Sequence, residues 1–169
     1  NSTSGVGADG GAIYAISATV NIDDTLFAGN VAFASGADGG GIALKDSTLN
    51  AIATTISGNQ APGGASDGGG IYGDGSVINL TDTTVSGNFT TGSNSEGGGI
   101  AAYNTAVNLV DSVVALNRTT GSQAAGGGVY LSEGGHEIRN SYGNLAAPAD
   151  GYLWDFANRA GVSVRSYGE

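Results

Sequence analysis

Carboxylates recur at a fixed step along this 169-residue chain, and they are the first groups to which chemistry can be assigned. Asp9, Asp38, Asp67 and Glu96 stand 29 residues apart, and the column stops at Ala125. If consecutive coils rise by ~4.8 Å, these are like charges stacked in a line beside Gly-rich turns. Backbone N–H groups of the glycine turns can absorb that charge, or Ca²⁺ can bridge it. The Asp-Gly-Gly pattern lacks the ending of the full Ca²⁺-binding nonapeptide. Backbone donors are therefore the expected answer, and Ca²⁺ is the one cofactor left open. A second acidic set, Asp24, Asp82 and Asp111, is interrupted by Ala53. Asp82 and Asp111 would be neighbours, and hydrolysis of a glycosidic bond needs such paired acids. A lyase would also need a basic group, but Lys45 is the only lysine and Arg118 the first arginine. No catalytic residue is expected.

Other columns invite binding rather than catalysis. Tyr14, Tyr72 and Tyr130 share an outward column with Ala43 and Ala101 between them. Tyrosines on alternate coils, ~10 Å apart, can stack on sugar rings or on a partner, or pack over the alanines. Thr25, Thr54 and Thr83 would suit an ice-binding array only if they faced outward. Phe27, Ile56 and Val85, two places on, are apolar and place the threonines inward. His136, the single histidine, replaces Val107 in its column and reads as an end-of-repeat irregularity. Glycosylation sequons occur at Asn1, Asn88 and Asn117, but two of these lie on the column of asparagines expected to be packed.

Composition narrows the classes. Five Lys plus Arg oppose fifteen Asp plus Glu, for a formal net charge of −10. Such a balance opposes binding driven by phosphate contacts, so no nucleic-acid partner is expected. Without cysteine there is no disulfide framework, thiolate metal site or thiol nucleophile. No apolar run reaches ~18 residues, so no helical membrane insertion is expected.

The elements that position these columns follow from the repeat. Gly11-Ala12-Ile13, Gly40-Gly41-Ile42, Gly69-Gly70-Ile71, Gly98-Gly99-Ile100 and Gly127-Gly128-Val129 begin 29 residues apart. Asn30, Asn59, Asn88 and Asn117 keep the same step, as do Val20, Leu49, Ile78 and Val107. Apolar residues alternate at period two near 12–16, 19–22 and 25–28, with turn formers between. Three short strands per unit, stacked in register, make an all-β, right-handed, single-stranded parallel β-helix of about five coils. Each column becomes a ladder, and the Asn column is expected to pass hydrogen bonds from one side-chain amide to the next. Variation gathers at 31–37, 60–66, 89–95 and 118–124, which read as surface loops of constant length.

A resemblance attaches to these motifs. Gly10-Gly11-Ala12-Ile13 followed by Phe27-Ala28-Gly29-Asn30, then Gly39-Gly40-Gly41-Ile42 followed by Ile56-Ser57-Gly58-Asn59, resemble the repeats of polymorphic outer-membrane proteins. The resemblance covers roughly residues 1–145. It implies a bacterial β-helix at the cell surface.

Residues 1–145 are thus expected to be repeats, and 146–169 a C-terminal cap or docking tail. Trp154 and Phe156 in that tail are the candidate docking residues. The expected function is a non-enzymatic, extracellular, structural or adhesive module of a bacterial surface protein, or the subunit of a filament stacked end to end. Its expected partners are copies of itself or neighbouring coils of a parent chain, with carbohydrate or a host surface as ligand. The alternative is a carbohydrate-active or polysaccharide-binding β-helix.

Overall fold

The computed structural model describes residues 1–131 and the two-residue strand Arg139–Asn140. His136, Trp154, Phe156 and the expected tail at 146–169 lie outside the described residues. Within them the chain is a parallel β-solenoid of about four turns. Ile42 pairs with Ile13 on one side and Ile71 on the other, so the 29-residue step is the step of the coil.

Three strands per coil match the three alternating segments. In the first full coil they are Ile13–Ile16, Thr19–Asp23 and Leu26–Ala28. A fourth strand of two residues follows at Val31–Ala32, inside a segment expected to be loop. It recurs at Gln60–Ala61, Phe89–Thr90 and Arg118–Thr119, so the coil has four sides. Two residues are too few to show a period, and the outward one changes from Val to Gln, Phe and Arg. The fourth side is written only in the backbone ladder, as where Gln60 N donates to Asn30 O at 2.9 Å.

Inward aliphatics of the first three sides form one continuous core. Ile42, Leu44, Leu49 and Ile56 are fully buried in the second coil, as are Ile71, Ile78 and Val85 in the third. Removing each such side chain from water contributes about 1.5–3 kcal/mol. In the first coil, Ile13, Val20 and Phe27 are only half-buried, because they pack against a neighbour on one side.

Several corners share one pattern. A residue with positive φ turns the chain, and the next side chain is polar and points inward. Asp46 (φ 49°) precedes Ser47, Asp82 (φ 49°) precedes Thr83, and Gly58 (φ 64°) precedes Asn59. Those inward groups are buried, so each needs a partner. Thr83 Oγ1 donates to Thr81 O at 2.9 Å, and Ser76 Oγ accepts from Ser47 N at 3.0 Å. The threonines at 54 and 83 are thereby consumed inside the corner.

Candidate functional site

The acidic column runs along the Gly-rich corner, beside the outer face of the side that begins at Ile13. Asp9 Oδ1 accepts from Asp38 N at 2.9 Å, Asp38 Oδ1 from Asp67 N at 2.8 Å, and Asp67 Oδ1 from Glu96 N at 2.7 Å. The three aspartates are thus each capped by the amide of the next acidic residue, one coil on. The second oxygens of Asp9 and Asp67, and one oxygen of Glu96, find side chains. Lys45 Nζ lies 3.0 Å from Asp9 Oδ2, and Tyr103 Oη reaches both Asp67 Oδ2 and Glu96 Oε2. Among the described residues, no three His, Cys, Asp or Glu side chains are grouped to hold a metal ion. The column is a line of singly spaced acids, not a cage.

Burial governs the electrostatics. It pushes the Asp38 carboxyl up to about 7, with the charges of Asp67 and Asp9 adding to it. The Asp67 N–H and the Lys45 charge oppose that rise. Burial also raises Asp67, against the hydrogen bond from Tyr103. The hydrogen bond to Asp9 raises the Lys45 ammonium. Tyr72 and Tyr103 are pushed up, first by burial and then by the carboxylates around them.

Of the two arrangements the sequence leaves open for the tyrosines, Tyr72 takes the packed one, clustered with Ala43 and Ala101. Tyr14, Tyr72 and Tyr130 do share one register through Ala43 and Ala101. Tyr72, however, is only 8% exposed, while Tyr14 is 45% exposed. The reason is Tyr103, which enters from two places farther along its strand and fills the space over Ala101. Its ring centroid is 5.7 Å from that of Tyr72 and 5.7 Å from that of Tyr130. The result is one tilted stack closed against the acidic column. Tyr14 alone keeps an open face, with Lys45 Nζ 5.6 Å from its ring centre.

The second acidic set has a conformational explanation. Asp24, Ala53, Asp82 and Asp111 occupy one corner, at φ 44–49°. Asp tolerates this left-handed conformation better than most side chains. All four are exposed, one per coil.

Asn30, Asn59, Asn88 and Asn117 form an interior ladder. Asn59 Nδ2 donates to Asn88 Oδ1 at 2.9 Å and to Phe27 O at 3.0 Å. Asn59 Oδ1 accepts from Asn30 Nδ2 at 2.8 Å and from Asn30 N at 2.9 Å. With both amide hydrogens of Asn88 used the same way, its sequon offers no accessible nitrogen. The triple glycine supports this ladder. Gly68 (φ +64°) turns the chain, and a Cβ on Gly69 would lie 2.6 Å from Phe89 O. A Cβ on Gly70 would lie 3.0 Å from Asn88 Cγ. The Gly-Gly-Ile and Asn columns are therefore two halves of one contact.

Sequence reasoning missed two features of the surface. Tyr103 gave no column signal, since Ile16, Lys45 and Asp74 hold its place in other coils. Asn21, Asn50, Asn79 and Asn108 did give one: an unbroken step of 29 at an outward position. They form a second ladder, in which Asn50 donates to Asn21 at 2.8 Å, Asn79 to Asn50 at 2.8 Å and Asn108 to Asn79 at 2.7 Å.

No protein-family model matches the chain, and comparison with curated proteins and with solved structures likewise gives no match.

Proposed function

We propose that this chain is a non-enzymatic β-helical rod that serves a bacterial cell surface as a structural or adhesive module. One observation carries the reading. Its two asparagine columns are spent along the axis, each side chain bonded to its counterpart one coil away, as in the Asn30 to Asn117 ladder. Groups held this way stiffen a rod; they are not aimed at a reacting centre. The short fourth strand then presents outward residues that change from coil to coil, among them Gln60, Phe89 and Arg118, on a frame that does not change. The resemblance of the Gly-Gly-Ala-Ile and Phe-x-x-Asn motifs to polymorphic outer-membrane repeats supports the surface location. Stacking of such rods end to end would make a filament of the same material.

The test is display of the chain on a non-adherent bacterium, with attached cells counted on carbohydrate and host-cell layers. The purified chain is assayed in parallel for release of reducing ends from a polysaccharide panel. Attachment without polysaccharide cleavage is expected. Turnover that is lost in Asp82→Ala or Asp111→Ala would replace this reading with the carbohydrate-active one.

A further inference from the structure

Tyr103 carries one hydroxyl hydrogen, yet its Oη lies 2.6 Å from Asp67 Oδ2 and 2.7 Å from Glu96 Oε2. Both are hydrogen-bond distances between oxygens, and each needs a hydrogen. A phenol donates once, and an ionised carboxylate only accepts. With both acids ionised, one of the two contacts would set lone pair against lone pair. The arrangement closes when one carboxyl is protonated and donates to Oη, while the phenol donates to the other.

We propose that Asp67, Glu96 and Tyr103 share one carboxyl proton in the folded chain, and that this clasp between consecutive coils loosens when the proton leaves for solvent.

The surroundings favour keeping the proton. On the preceding coils the column continues as Asp38 and Asp9, and Lys45 is bonded to Asp9. The rings of Tyr72 and Tyr130 flank Tyr103 on its own face, and Asp74 acts on Tyr72. On the following coil, Glu96 pairs with Ala125, which carries no charge. Among the described residues, the titratable groups facing the clasp are, apart from Lys45, acids and phenols. Burial raises both Asp67 and Tyr103, so the phenol stays protonated while the carboxyls compete for the extra hydrogen.

The sign follows from proton counting. Above the ordinary carboxyl range the unfolded chain has lost this proton and the folded clasp has not. The folded state then binds one more proton, so its stability is highest in acid and falls as pH rises toward the clasp's own value. Over that window the unfolding equilibrium constant should grow about tenfold per pH unit for this one site.

The experiment is a carboxyl ¹³C NMR titration of the full chain, with chelator present to remove Ca²⁺, alongside denaturant unfolding at each pH. One titration of the Asp67–Glu96 pair is expected well above ~4, the ordinary carboxyl value. In Glu96→Gln the side-chain amide can donate to Oη permanently. That variant should lose the raised titration and one proton's worth of pH dependence, leaving the separate contribution of Asp38. Two ordinary carboxyl titrations in the wild-type chain would overturn the proposal. So would a Glu96→Gln variant whose unfolding keeps the full pH dependence. Should Glu96→Gln fail to fold, the wild-type titration decides alone.

Discussion

Two ladders of asparagine run through four consecutive coils, built from the same residue at the same step, and they do different work. The inner one, through Asn59 and Asn88, is buried, and Asn59 fills all four of its side-chain hydrogen-bond positions. The outer one, through Asn50 and Asn79, makes one amide-to-amide bond per step at a surface that water also reaches. Inside, an unmade hydrogen bond costs the full desolvation of the group, whereas outside water takes the vacant place. The difference teaches that a perfect column does not by itself measure structural weight; what the column replaces does.

The sharpest way to break the comparison is to truncate both ladders. Asn59→Ala strands Asn30 N, Asn30 Nδ2 and Phe27 O together, and should lower stability by about 4 kcal/mol in denaturant unfolding. Equal losses from Asn59→Ala and its outer counterpart would end the distinction. Gly70→Ala attacks the inner ladder from its other half, since the new Cβ meets Gly99 O at 2.6 Å and the Asn88 amide. A loss of about 2–3 kcal/mol is expected, read as an earlier thermal midpoint.

Thr90 tests the same rule from the opposite direction. Its hydroxyl is buried and makes no hydrogen bond, while Ala32 and Ala61 stand in its register. Thr90→Val keeps the volume and removes the orphan, so it should raise stability by about 1 kcal/mol. The smallest effect belongs to the outer ladder. Asn79→Ala should cost under about 0.5 kcal/mol and leave the far-ultraviolet circular dichroism of the strands unchanged.

How much of this was legible in the sequence depended on whether a position repeats. The coil step, three of its sides and the inward aliphatics could be read because Ile13, Ile42, Ile71 and Ile100 recur without a slip. The position of the Asn column could be read for the same reason, but its link to the glycines could not, because that contact joins residues from opposite sides of a coil. The fourth side stayed hidden because two residues cannot alternate. Tyr103 stayed hidden because it is the exception in its column, and a search for sameness passes over exceptions. Yet that exception closes the tyrosine stack and joins two carboxylates.

Because the ladders and the core all advance by one common interval, removing a single residue from a coil would throw every stripe out of line together. Cutting out residues 42–70 would instead join Gly41 to Ile71, and each stripe would meet its own kind across the splice. The length of this rod can therefore be edited by gene rearrangement in whole rungs, and in nothing smaller.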